Sequence, residues 1–353
     1  MLSGHAVNVA APGLERQGTA AYRVHGMTRR PFSILYIAPS RIGDAVLASG
    51  LVKALADKVP DARFTFVGSE LTGPLFADTP GVERVIVMEK RSLSGHWISL
   101  WNEVRDRKWG LVVDLRGSGL SGMLRRSRRA VHRPSRLIEH KVIEAARLLH
   151  LEDDPPAPFL FTSAETEARA EALTAGAGPI LAVGPAANWM GKAWPAERFA
   201  AVARRLLGSG GALEGGRLMV LGAPRDREVA RYVKAAIPGG RQIDLVGAEP
   251  LLVCYAALKR ARLFIGNDSG LMHLASAAGA PTLGLFGPSD ETLYAPWGPA
   301  ARAVRGPRPF EAFLTIDPSL SHSVCHMMDL PQGEVVAAAE ALLSETTPET
   351  VHA

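Results

Sequence analysis

Cysteine is scarce in this 353-residue chain. Its two residues, Cys254 and Cys325, can build neither a disulfide framework nor a four-ligand zinc site, and they suit a reducing compartment. No uninterrupted apolar run reaches the roughly 18 residues of a membrane-spanning helix. Three phosphate-handling signatures are also absent from their usual places. The chain has no D-x-D pair, with which many sugar transferases hold a metal–diphosphate, no G-x-x-x-x-G-K-[ST] loop, and no G-x-G-x-x-G after its first apolar strand. Kinase, ATPase and nicotinamide-dehydrogenase chemistries lose their usual supports. Aromatics make up only 6% of the chain, while 35 Gly and 25 Pro imply many tight turns between short elements. With 47% hydrophobic and 21% charged residues the chain has the composition of a folded protein, long enough for two domains.

Charge is modest in sum and uneven in place. The net +5 hides a segment, 116–141, that holds eight Lys/Arg against Glu139 alone. Its local charge of +7 leaves the other 327 residues at −2. Such a stretch attracts phosphates on nucleic acid or on anionic lipid, unless it is simply a solvated helix face. No groove-reading motif or aromatic platform accompanies it, so no nucleic-acid partner is expected.

Residues 1–30 lack a continuous apolar stretch and any helical or strand period, and read as a disordered extension; Met27 would begin the chain just before the first strand. From Ile34 onward, short apolar runs at 34–38, 64–67, 84–88 and 111–115 alternate with helical patterns at about 45–58, 69–77 and 93–108. An acidic, Pro-rich break at 152–158 follows. Strands at 180–183, 218–221, 263–265 and 282–286 then alternate with helices at about 195–207, 225–236, 250–260, 269–278 and 333–344. This pattern predicts two α/β domains with parallel sheets and a ligand cleft at their carboxyl edges. The expected bounds are 31–151, a linker region 152–178, a second domain 179–330, and a terminal helix and tail 331–353.

Three segments carry chemistry. In 34–50 a strand runs through Gly43 to Asp44, which is either a carboxylate held at the cleft mouth as a base or a helix N-cap. As a helix-opening residue it would have a lowered pKa. In 183–199 a Gly/Pro/Asn loop presents Lys192 before Trp194-Pro195, either an incidental surface lysine or a point charge suited to a diphosphate. In 263–290 a strand ends at Asn267-Asp268, and Ser269-Gly270 open a helix bearing His273. Helix N–H groups beside a Gly form an anion site, to which His273 could add a proton or a hydrogen bond; alone, His273 would be an ordinary core histidine. A weaker segment, 221–231, offers Glu228, or as second choice Asp226, to a ribose.

Residues from about 34 to 345 resemble the lipopolysaccharide heptosyltransferases, glycosyltransferases of family 9 with two Rossmann-like domains facing across a cleft (GT-B). The resemblance rests on S-x-x-G-D at Ser40–Asp44, DLRGS at Asp114–Ser118, GKAWPAERF around Lys192, and NDSGLMHLASAAGAPTLGLFGPSD. It implies an inverting transfer of heptose from ADP-heptose to a Kdo-lipid A acceptor, without a metal or other cofactor. Asp44 would be the base and Lys192 would serve the leaving diphosphate. Asn188, Lys192, Glu228, Asp268, Ser269, Gly270 and His273 would bind the donor. Ser40, Arg41, Arg116, Arg125, Arg126, Arg128 and Arg129 would bind the anionic glycolipid, at the cytoplasmic face of the inner membrane. The chain departs from some members at Ala187 and Asn188, where those present hydroxyls, and at Cys325, left from a cysteine-rich stretch. Another nucleotide-sugar or acceptor, or a sugar-nucleotide epimerase on the same architecture, is the alternative.

Overall fold

A computed structural model describes residues 31–89, 95–133, 135–320 and 324–346. The extension expected at 1–30 and the last seven residues of the expected tail lie outside these.

The amino-terminal half runs β1 (Ser33–Ile37), α1 (Ile42–Leu47), α2 (Gly50–Lys58), β2 (Arg63–Gly68), β3 (Val82–Val87), α3 (Gly95–Val104), β4 (Trp109–Asp114), α4 (Leu120–Met123), β5 (Arg126–Val131) and α5 (Lys141–Ala146). Helix α6 (Ala164–Thr174) leads to β6 (Ile180–Gly184), α7 (Ala196–Leu207), β7 (Arg217–Gly222), α8 (Arg227–Lys234), β8 (Gln242–Val246) and α9 (Leu251–Leu258). Then come β9 (Leu263–Asn267), α10 (Gly270–Ala277), β10 (Thr282–Phe286), α11 (Glu291–Tyr294), β11 (Ala301–Arg305), α12 (Phe310–Ile316) and α13 (Gln332–Glu345). Two wholly parallel sheets result, ordered β3-β2-β1-β4-β5 and β11-β10-β9-β6-β7-β8.

Strand alternation sets the layers. Ile34 and Tyr36 of β1 point into a core shared with Phe264 of β9 and with Tyr255 and Leu274, so one apolar layer runs through both halves. Leu35 and Ile37 face the opposite way, onto α3. Leu263 and Ile265 face the layer built by α7, α8 and α13. Strand order reverses beside β1 in the first sheet and beside β6 and β9 in the second, and the loops leaving those strands define the crevice.

Several expectations need correction. The helix expected at about 45–58 is two helices, broken where the Ser49 hydroxyl donates to the Val46 carbonyl at 2.6 Å. No α-helix forms at 69–77: Ser69 and Thr72 exchange hydroxyl and amide hydrogen bonds in a turn, and only one 3-10 turn, Pro74–Phe76, follows. Three strands had escaped notice, β5, β8 and β11. All are sheet edges: β5 and β11 are half-solvated and rich in charge, and the short run of β8, QIDLV, is interrupted by the exposed Asp244, so none shows a continuous apolar run. The solvated-helix reading of 116–141 therefore fails over β5, which is an edge strand.

The connecting chain is pinned from both sides. The Phe159 N–H donates to the buried Ser49 hydroxyl at 2.9 Å, and the next N–H, of Leu160, donates to the Tyr255 hydroxyl at 3.3 Å. Ser163 and Thr166, at the start of α6, donate to Asp78 at 2.7 Å each, while Glu167 pairs with Lys259 and Arg260. Ser49→Ala removes one of these acceptors in a buried place, and Tyr255→Phe the other. Each is expected to lower stability by about 1–3 kcal/mol, the penalty of an orphaned buried N–H. Urea unfolding of the two single variants and the double variant measures it.

Candidate active site

A cleft of about 960 Å³ opens at the carboxyl edges of both sheets. Its geometry starts from two helix N-termini in contact. Helix α1 brings Gly43 against α10, where a β-carbon on Gly43 would sit 3.0 Å from His273 Cδ2 and 3.7 Å from Gly270 Cα. A β-carbon on Gly270 would in turn sit 2.9 Å from Ile42 Cβ. Only glycine permits this approach, which sets Asp44 beside the Asp268–His273 segment.

Asp44 is not the N-cap. Arg41 holds that position, with no side-chain cap, and Asp44 lies in the first turn with its carboxylate unbonded among the described residues. Its pKa is raised, not lowered: burial dominates, Arg41 and Lys141 oppose it, and Glu144 and Asp268 add to it. Desolvation thus outweighs the helix terminus, and the group is a better proton acceptor than a capping aspartate. Lys141, close by, pairs with Glu144, whose other oxygen lies 2.6 Å from His132 Nε2.

Across the cleft, Lys192 Nζ donates to Asp268 Oδ2 at 2.9 Å, both side chains largely buried. The loop carrying Lys192 is held from below. Asn267, wholly buried, accepts the Trp194 N–H at 2.9 Å and donates to the Pro185 carbonyl at 2.8 Å. Trp194 packs edge-on against Phe199 and donates its indole N–H to Leu330. Ser269 is the N-cap of α10, yet its buried hydroxyl has no partner among the described residues, and neither has His273 Nδ1. Burial lowers the His273 pKa to about 4, so at neutral pH the ring offers a hydrogen bond rather than a charge. Of the two contributions expected of it, a proton or a hydrogen bond, this fits the hydrogen bond. Ser269 and His273 belong to the cleft lining, and buried polar atoms left without partners at a helix N-terminus call for an explanation such as a bound ligand.

The other expected residues divide. Ser40, Arg41 and Asn188 line the cleft with Asp44, Lys192, Asp268, Ser269, Gly270 and His273. Glu228 does not: a 3-10 turn, Pro224–Asp226, uses up the strand exit, and Glu228 is exposed on α8 outside the lining. Asp226 does line it, but its carboxylate accepts the Ala223 N–H at 2.8 Å. The carboxylate that the pattern missed is Glu249, in the lining after β8 and paired with Arg169. Tyr294, whose ring lies 6.4 Å from that of His273, also went unnoticed, because α11 is a single turn with no period to read. Arg116 lines a separate groove, and Arg125, Arg126, Arg128 and Arg129 sit on or next to β5, two strands from β1; none of the five lines the cleft. Asp114 is buried at the end of β4, its oxygens accepting from the Arg116 N–H and the Ser118 hydroxyl. His140 ties the halves together: Nδ1 accepts the Val142 N–H, and Nε2 bonds the Ala295 carbonyl at 2.9 Å.

Lipopolysaccharide heptosyltransferase 2 of Salmonella typhimurium is 25% identical over 312 residues, covering 77% of this chain and 87% of its own length. A glycosyltransferase family 9 structure from Veillonella parvula superposes with a TM-score of 0.74 at 21% identity, covering 89% of this chain and 98% of that one. The ADP-heptose lipopolysaccharide heptosyltransferase II of E. coli superposes at 0.69, also at 21% identity, covering 89% and 99%. The fold is the GT-B architecture of these enzymes. The profile of glycosyltransferase family 9 (heptosyltransferase) matches residues 97–315, a span that includes Lys192 and the Asp268–His273 segment but not Asp44. The chain belongs to glycosyltransferase family 9, the heptosyltransferase family.

Proposed function

We propose that this glycosyltransferase moves a heptose from ADP-heptose to a Kdo-bearing lipid A inner-core acceptor, with inversion at the anomeric carbon. One observation carries the reading: an unbonded carboxylate of raised pKa, Asp44, stands beside a helix N-terminus whose Ser269 hydroxyl and His273 ring lack partners, opposite a part-buried Lys192. ADP-heptose and lipopolysaccharide, named for the E. coli relative of similar fold, support the choice of donor and acceptor. Residues 31–151 would serve as the acceptor domain and 179–330 as the nucleotide-sugar domain, joined through 152–178, with 331–353 as a terminal helix and tail. The enzyme would work at the cytoplasmic face of the inner membrane. No helix among the described residues is long and apolar enough to cross it.

The chemistry follows from the placement. The acceptor hydroxyl attacks the anomeric carbon as Asp44 takes its proton. The bond from that carbon to the diphosphate oxygen breaks, and the electron pair leaves with ADP. Charge grows on the diphosphate, where Lys192, the α10 N–H groups, the Ser269 hydroxyl and the neutral His273 ring meet it with fixed donors. Asn188 lies on the same loop as Lys192. Glu249 and Asp226 replace Glu228 as the carboxylates within reach of a ribose. Ser40 and Arg41 border the acceptor side next to Asp44, and the arginines of β5 would meet more distant anionic groups of the glycolipid.

Two outcomes test this. Asp44→Asn is expected to leave ADP binding nearly unchanged and to lower kcat by about 10²–10⁴-fold. In the native enzyme kcat/KM falls with decreasing pH at a value above the ordinary aspartate range, because burial raises the base. Near-normal turnover in Asp44→Asn overturns the assignment. Lys192→Ala is expected to lower kcat by about 10²–10³-fold, the scale of losing one fixed donor, and transfer in the native enzyme should persist in excess EDTA. Loss in EDTA with rescue by Mg²⁺ or Mn²⁺ would refute the fixed-donor mechanism.

A further inference from the structure

The amino-terminal half carries a second concavity away from the catalytic cleft. It is an open groove of about 660 Å³ lined by Trp97, Ile98 and Trp101 of α3 and by Arg116, Leu120 and Met123 at α4. Ile98 and Met123 are 65% and 66% exposed, so this apolar surface faces solvent. Trp97 and Trp101 lie four residues apart on one side of α3. The Arg116 guanidinium stacks 4.8 Å from the Trp97 ring, and the buried Trp101 indole N–H has no acceptor among the described residues. Indoles with an apolar body and a polar end favour a membrane–water interface.

A cationic strip borders the same groove. Arg126 donates to the Gly122 and Leu124 carbonyls at 3.1 and 2.8 Å, and an Arg129 nitrogen lies 3.5 Å from where a Gly122 β-carbon would sit. The strip is thus clamped to the short helix that walls the groove. Arg125 and Arg129 are exposed, and Arg129 lies in register with Val112 on the face that packs on α3, whereas Arg128, in register with Leu111, points to the other face. The start of α3 and the loop after β4 lie at the carboxyl edge of the first sheet, the edge from which Asp44 follows β1.

The geometry points to a bilayer-docking face: the Trp97–Trp101–Met123 groove meets the acyl region of an anionic phospholipid leaflet while Arg125, Arg126 and Arg129 meet its phosphates. Charge complementarity selects this occupant, since a two-fold contact between copies across the groove would set one cationic strip against another. The inference rests on the proposed glycolipid acceptor for its purpose, because docking here holds the acceptor side of the cleft near the lipid. Its test needs neither donor nor acceptor.

The test is co-sedimentation of the full chain with vesicles of phosphatidylglycerol and phosphatidylcholine in equal parts, against phosphatidylcholine alone. Tryptophan emission is read in parallel with phosphatidylglycerol brominated on its acyl chains. Partition to the anionic vesicles is expected, with quenching by bromine that falls in Trp97→Phe/Trp101→Phe. Ile98→Asp and Met123→Asp, both at exposed positions, should each lower the partition constant by about tenfold with unchanged thermal unfolding. Arg125→Glu/Arg129→Glu should weaken it more at low salt than at high salt. No partition to anionic vesicles overturns the proposal. So does partition without quenching that survives both Asp replacements, which is attraction by charge alone. A dimer in sedimentation velocity that Met123→Asp dissolves also overturns it, assigning the groove to a second copy. Failure of heptosyl transfer with vesicle docking intact would count against the proposed reaction and leave the docking face standing.

Discussion

The candidate site depends on one contact, the seating of the α1 N-terminus on that of α10. Gly43 and Gly270 remove the two side chains that would hold these helices apart, and Ile42 and the His273 ring fill the space that remains. Each helix comes from a different sheet, so this contact also fixes how the two carboxyl edges face one another. A carboxylate from the first sheet and a helix N-terminus from the second become neighbours without any loop having to span the cleft.

Burial then sets the chemistry of what the contact gathers. The same desolvation acts on two groups with opposite results. It raises the acidic Asp44, making it more basic, and lowers the basic His273 to about 4, making it neutral. Positive charge opposite Asp44 is therefore left to Lys192, whose position is set by Asn267 and Trp194 beneath it. Lys192, with Arg41 and Arg225 also in the lining, and a neutral imidazole together form an arrangement that would suit an anion growing during the proposed reaction.

Much of this was legible in the sequence, for a physical reason. Strands buried on both faces are written as apolar runs, so β1, β4, β6, β9 and β10 could be read directly, and so could the loops that leave them. The loops carry Asp44, Lys192 and Asp268–His273, which the structure gathers around a single cleft. Edge strands are written differently: β5 reads RSRRAV and β11 reads ARAVR, patterns that charge disguises. Spacing misled at Glu228, because the Pro224–Asp226 turn places Asp226 in the cleft and carries Glu228 out onto α8. Asp44 misled in sign, since helix position was visible in the chain and burial was not. Glu249 and Tyr294 reach the lining from short, aperiodic segments, and Asn267 was visible only as the residue before Asp268.

The ion pair between Lys192 and Asp268 has a kinetic side. In the proposed transfer a diphosphate that takes Lys192 would share or displace a carboxylate covalently tethered beside it, and that carboxylate would remain present at high effective concentration for as long as the ligand is bound. Asp268 would thus compete with the leaving nucleotide, weakening the hold on a diphosphate and shortening the time that spent product occupies the cleft. A lysine bare of this partner would grip the product more tightly.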